Sequence, residues 1–221
     1  MELKEAIQAR RSIRGFDTTR LVPREILEEI LRLAVRAHSG ENAQPWEFHI
    51  VTGQVLDDIR ACNTACYEAD APVSREEAPV PDGIYRERGR EVGKLLLTSM
   101  GIARDDREGR HWWRGRGYRF FDAPAVILIC LDGQLDETAY RLDIGCVAQT
   151  ICLAAMDYGL GTCIEDQALT YQEGIRKYLH LSDDRILACG IAIGYPDPAF
   201  AANHVKSPRT DLGETTTWYG F

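Results

Sequence analysis

Arg10-Arg11-Ser12-Ile13-Arg14 puts three guanidiniums and a hydroxyl within five residues. Guanidiniums grip phosphate through bidentate, charge-assisted hydrogen bonds, so the run suits a phosphate ester. It suits a basic helix end equally well, because cations favour helix C-termini. A second cluster, Ser39-Gly40-Glu41-Asn42-Ala43-Gln44-Pro45-Trp46, offers donors and acceptors fit for a polyol or a heteroaromatic edge. The same residues also make a turn whose side chains satisfy their own backbone. Gly159-Leu160-Gly161-Thr162-Cys163-Ile164-Glu165-Asp166 and Lys206-Ser207-Pro208-Arg209 say little when taken separately.

The elements that must position these clusters follow from periodicity. Leu3, Ala6 and Ile7 share one face of a short first helix that delivers the arginines. Pro23 opens a second helix, with Ile26, Leu27, Ile30, Leu31, Ala34 and Val35 at helical spacing, ending near His38-Ser39-Gly40. Trp46 to Thr52 alternates as a strand closed by Gly53, so the second cluster lies in a loop held at both ends. Val55 to Ala65 reads as a helix, and the proline- and acid-rich stretch from Ala71 to Gly83 as a surface loop. Ala125 to Cys130 is continuously apolar, a strand buried on both faces. Thr138 to Tyr158 forms a long buried helix stopped by Gly159 and Gly161, Tyr171 to Leu179 a further helix, and Ile186 to Ile193 a last strand. The class is α+β, with strands scattered among more numerous helices. One domain spans 1–221. The stretch from Ile144 to Met156 is apolar on every face, and a chain this size wraps such a helix most simply by dimerising.

Composition narrows the function. The apolar fraction of 45% and charged fraction of 27% are those of a globular domain. A net charge of −8 argues against binding nucleic acid or a membrane surface. The start, Met1-Glu2-Leu3-Lys4-Glu5, lacks a signal-peptide pattern, and the cysteines mostly sit in apolar runs, so a cytoplasmic, reduced setting is expected. Cys62 and Cys66 stand one helical turn apart, but no second pair or nearby histidine completes a metal site, and none is expected.

In this order and spacing the clusters resemble the nitroreductase family of FMN-dependent flavoproteins. The resemblance runs from Arg10-Arg11-Ser12-Ile13-Arg14 and Phe16 through Asn42-Ala43-Gln44-Pro45-Trp46. It continues over Ala123-Pro124-Ala125-Val126, Asp143 and Gly159-Leu160-Gly161 to Gly194-Tyr195-Pro196. It implies a mixed sheet flanked by helices in an interlocked homodimer, with FMN at the interface. It implies that Arg10, Arg11, Ser12 and Arg14 hold the FMN phosphate and ribityl chain, with Lys206 and Arg209 as further phosphate ligands. Ser39 and Asn42 would approach from the partner subunit, and Gln44 would also contact the cofactor. A backbone N–H at Ile164–Glu165 would meet flavin N5. The implied activity is reduction of nitroaromatics or quinones with NADPH or NADH by a ping-pong scheme. The flavin carries the chemistry, so no catalytic side chain is named. A reductive dehalogenase or other specialised flavoenzyme of the superfamily, and a non-enzymatic FMN-binding redox protein, stay open. The sequence departs from the family pattern at His38, at Asp166 and in the stretch before Phe120, which is unusually rich in arginine and tryptophan.

That last departure bears on the substrate. Arg86 to Arg119 carries nine arginines and one lysine against five acids, a net +5, while the remaining chain is −13. The family reading makes about 71–121 a lid or insert over the flavin. A cationic lid would attract an anionic aromatic acceptor, with Trp112, Trp113, Tyr118, Phe120 or Phe121 as an apolar wall, or would serve the NADPH phosphate. A solvated helix face whose arginines pair locally is the plainer alternative. The tail, about 203–221, is β-prone near its end and would reach the partner's sheet.

Overall fold

Every residue from Ala125 to Leu131 is apolar because the strand they form lies between two helical layers. The computed structural model, which describes residues 1–75 and 82–221, makes this strand (β2, Ala125–Asp132) the second of four in one sheet. Its odd-numbered side chains, Ala125, Ile127, Ile129 and Leu131, pack against α2 (Arg24–Ala34) and α6 (Glu137–Asp157). Its even-numbered ones, Val126, Leu128 and Cys130, pack on the opposite face against α3 (Gly53–Glu68) and α7 (Gln172–Leu179). The two-residue period of a strand does the sorting. Ile127, Leu128, Ile129 and Leu131 are all fully buried, and each contributes about 1.5–3 kcal/mol relative to exposure.

The strand order is β1 (Glu47–Thr52), β2, β4 (Arg185–Gly194), β3 (Gly161–Glu165). Every neighbouring pair runs antiparallel. The mixed sheet implied by the resemblance thus reduces to one parallel contact, the isolated bridge from Ser12 to Thr162. β3 was not apparent in the sequence, because a five-residue strand that begins on a glycine carries no clear alternation.

Helix ends differ slightly from expectation. α1 is Leu3–Ala9, and α2 stops at Ala34 and turns before Ser39. Gly53, read as closing a strand, is the first residue of α3. The stretch expected as a lid or insert, about 71–121, contains α4 (Ile84–Ser99) and α5 (Arg107–Tyr118). Part of the expected Ala71–Gly83 loop, residues 76–81, lies outside the described residues. α6 is not buried all round in one chain. Ile144, Val147, Ile151 and Ala155 face the sheet, whereas Leu142, Gly145 and Gln149 are exposed on the outer side. After α8 (Leu212–Thr215) the tail is extended and unpaired among the described residues. No helix among them is long and apolar enough to cross a membrane.

Candidate FMN site

α1 ends at Ala9, and Arg10 leaves the helix with its N–H still bonded to the Ala6 carbonyl at 2.9 Å. The chain then extends along the free edge of β3. Ser12 bridges Thr162, and the Ile13 N–H donates to the Thr162 carbonyl at 2.9 Å. Gly161 permits this approach, because the Ile13 side chain fills the space where a Cβ would stand. Asn203, only 2% exposed, fastens the next two residues. Its Oδ1 accepts from the N–H groups of Arg14 (2.8 Å) and Gly15 (3.1 Å). Its Nδ2 donates to the carbonyls of Gly15 (2.7 Å) and Asp197 (3.0 Å).

So fixed, the segment lines a cavity of about 430 Å³ with Arg10, Arg11, Ser12 and Arg14. Lys206, Ser207 and Arg209 form another part of the lining, and Ile7 of α1 and Val92 and Leu96 of α4 supply apolar contacts. No carboxylate is among the described lining residues. The residues expected at the phosphate therefore meet in one place although they lie at opposite ends of the chain. Their duties differ. Arg11 spends its Nε on the Asn203 carbonyl, and Arg209 bonds the Ser207 hydroxyl and carbonyl. Arg10 makes no side-chain hydrogen bond or ion pair among the described residues, which leaves its guanidinium for a ligand. A cation-rich pocket with a hydroxyl and an apolar rim fits a phosphate ester carrying a polyol and a ring.

The Ser39–Gln44 loop does not line this cavity. It is a tight turn with φ of 51°, 58° and 48° at Glu41, Asn42 and Gln44, closed by the Gln44 N–H on Ser39 Oγ at 3.1 Å. The Gly40 N–H reaches the buried Asp143 carboxylate of α6 at 3.2 Å. Within one chain this loop satisfies its own backbone, while Asn42 and Gln44 remain exposed.

On β3, Thr162 turns its backbone groups toward the Arg11–Ile13 segment. By the strand's two-residue period Ile164 presents its N–H on the same edge, two residues further on. The Ile164 side chain is exposed, and Glu165 points inward. The Glu165 carboxylate accepts the Gln167 N–H at 2.8 Å. Burial pushes its pKa up to about 7 against the opposing charge of Arg14.

The proposed apolar wall needs correction. Tyr118, Phe120 and Phe121 are buried at 8%, 1% and 6% exposure, the two phenylalanines packed in the core beneath the sheet. Tyr118 ends α5 and the two phenylalanines follow it, and all three serve packing. Trp112 is exposed and Trp113 half-buried against Phe121 and Phe200. The arginine-rich insert divides as well. Arg116 and Arg119 pair with Asp122 at 3.1 and 2.9 Å, and Arg86 with Asp82 at 2.7 Å. Arg88, Arg90, Arg104, Arg107, Arg110 and Arg114 are exposed, line none of the cavity just described and make no ion pair among the described residues.

Sequence reasoning missed Asn203 and Arg116. A lone Asn in a short 3-10 turn (Ala201–His204) has no sequence signature, and Arg116 was one of nine in its stretch. Among the described residues no group of three or more His, Cys, Asp or Glu side chains is placed to hold a metal.

Comparison with known proteins places the chain in a family. A family model described as the nitroreductase family matches residues 7–195. The chain is 31% identical to a 4-nitrobenzoate reductase of Pseudomonas putida, covering 97% of this chain and 94% of that protein. It is 30% identical to a chloronitrobenzene nitroreductase of Comamonas testosteroni, covering 98% and 96%. Over the full length of both chains it matches the FMN and NADPH-dependent nitroreductase NfnB from sphigopyxis sp. strain HMH with a TM-score of 0.92 and 33% identity. This chain belongs to the nitroreductase family.

Proposed function

We propose that this chain is an FMN-dependent oxidoreductase that takes electrons from NADPH or NADH and reduces nitroaromatics or quinones. The observation that carries the reading is the cavity that gathers Arg10, Arg11, Ser12, Arg14, Lys206 and Arg209 around a volume free of carboxylates. FMN, when bound, supplies two-electron redox chemistry at its isoalloxazine ring. The protein binds and orients. Arg10, Arg14 and Arg209 neutralise the phosphate, and Ser12 donates to it or to the ribityl chain. Ile164 offers a backbone donor to the ring edge, and Ser39, Asn42 and Gln44 reach across a subunit boundary. Donor and acceptor occupy one site in turn, which gives ping-pong kinetics. The outward-facing insert, six of whose arginines are exposed and make no ion pair among the described residues, favours an anionic acceptor, a substituted nitrobenzoate for example, through its positive field.

The protein should purify with one FMN per subunit, and Arg10→Ala should weaken FMN binding by about 1.5–3 kcal/mol, the worth of a hydrogen bond to a charged group. With NADPH and then NADH as donor, kcat/KM for a nitrobenzoate should fall as ionic strength rises, while that for nitrobenzene stays flat. Unchanged flavin retention in the variant sinks the phosphate assignment. Equal salt responses sink the anionic preference.

We further propose one domain over 1–221, with about 71–121 as lid, that works as a homodimer in the cytoplasm. Two features support the dimer. The outer stripe of α6 leaves Leu142 at 69% exposure, and the tail ends with Trp218, Tyr219 and Phe221 all exposed, Trp218 and Phe221 packed edge to face only on each other among the described residues. β1, an edge strand, is open to a further strand. Sedimentation should show a dimer at micromolar concentration, and deleting 210–221 should dissociate it. A stable monomer in the full-length protein overturns the assembly.

A further inference from the structure

We infer that Arg116 is a positioning residue that ties the lid helix α5 to the phosphate-binding segment, so that filling the cavity and ordering α5 are coupled. This rests on the FMN reading of the cavity. Arg116 projects from the last turn of α5, and its side chain is 11% exposed. One guanidinium nitrogen donates to the carbonyls of Arg14 (2.9 Å) and Phe121 (3.1 Å). The other pairs with Asp122 at 3.1 Å. The plane lies over the rings of Phe200 and Trp112, at 4.8 and 5.3 Å. Phe200 in turn packs into the space that a Cβ would take at Gly15. A single guanidinium thus joins α5, the 120–122 turn and the Arg14–Gly15 backbone, whose other side is held by Asn203.

Stability alone does not account for this arrangement. A buried cation is costly unless its donors are used, and the Arg116 Nε has no partner among the described residues. Arg60 provides the contrast. It too is a largely enclosed arginine, its side chain 15% exposed, bonded to the carbonyls of Arg119 and Ala123 at either end of the same turn and paired with Asp57. None of its hydrogen-bond or ion-pair partners among the described residues lines the cavity, whereas Arg116 holds the backbone of one that does, Arg14. Coupling through Arg116 is reciprocal: whatever steadies Arg14 steadies α5, and the reverse.

Two readouts separate coupling from a merely structural role: FMN affinity from flavin fluorescence, and amide hydrogen exchange over 107–118 with and without FMN. The full-length protein is compared with Arg116→Met, Arg116→Lys and Arg60→Met. Arg116→Met is expected to lose FMN affinity by about tenfold or more. In that variant FMN should no longer slow exchange in α5. Arg116→Lys, which keeps the charge without the fork, should fall between parent and Arg116→Met on both readouts. Arg60→Met should lower the melting temperature yet bind FMN within about twofold of the parent and keep the FMN-dependent protection. Arg116→Met matching Arg60→Met in affinity, or retaining protection of α5, overturns the inference. If Arg116→Met fails to fold, Arg116→Lys decides by the same criteria. A parent protein that takes up no FMN removes the cavity reading and this inference together. A parent that binds FMN alongside an unaffected variant removes this inference alone.

Discussion

Asn203→Ala will lower the stability of the protein by about 3–5 kcal/mol, since it leaves several buried backbone groups without partners. The side chain uses both acceptor positions of its oxygen and both donors of its nitrogen, all on backbone of Arg14, Gly15 and Asp197. Water has no ready access to replace it, because the residue is buried. For a chain of this length the loss corresponds to roughly 10 °C in melting temperature. FMN affinity should fall as well, because Arg14 lines the cavity and would lose its fixed backbone. A thermal scan and a flavin titration on one preparation check both effects. A variant that melts within about 2 °C of the parent would remove Asn203 from this role.

Glu165→Gln should act with the opposite sign, in a way that depends on pH. Burial raises the Glu165 carboxyl from its usual range to about 7, so the folded protein binds that proton more tightly than the unfolded chain does. A raised carboxyl contributes stability that is fully present below about pH 4.5 and is lost as pH rises through about 7. Above that point the folded state carries a buried carboxylate at a cost of about 3 kcal/mol. Glutamine keeps an oxygen for the Gln167 N–H and never ionises. The variant should therefore gain on the parent progressively from pH 5 to pH 8, reaching about 3 kcal/mol. Melting temperatures measured across that range test this. Parallel curves for parent and variant would show that the carboxyl is ionised throughout.

Much of the architecture was written in local patterns. The run Ala125–Cys130 announced a strand covered on both faces, and Leu27, Ile30 and Ala34 announced the buried side of α2. The phosphate cluster was legible because guanidiniums crowd within five residues. Its completion by Lys206 and Arg209 depends on tertiary return of the chain, which the family resemblance supplied and periodicity did not. β3 escaped notice because it is short and begins at Gly161, a residue chosen for the close approach of Ile13 rather than for strand propensity. The aromatic residues before β2 misled for a physical reason. Tyr118, Phe120 and Phe121 look alike whether they wall a pocket or fill a core, and only burial tells the two apart. The arginines nearby divide in a way that composition does not reveal. Composition counts charges without saying that Arg116 and Arg119 share Asp122.

The sheet order has a consequence for the newborn chain. β2 is paired on one side with β1, made long before it, but on the other with β4, whose first residue comes only at Arg185. Translation adds about 5–20 residues each second, so for several seconds an emerging all-apolar strand has one flank unmatched. A segment like Ala125–Leu131, β-prone and uncharged, is the kind that sticks to its copies on neighbouring ribosomes. α6 is synthesised directly after it and shields one of its two faces meanwhile. The interval between the second strand and the last is therefore the stage of synthesis at which this chain is most open to aggregation, before any flavin is in place.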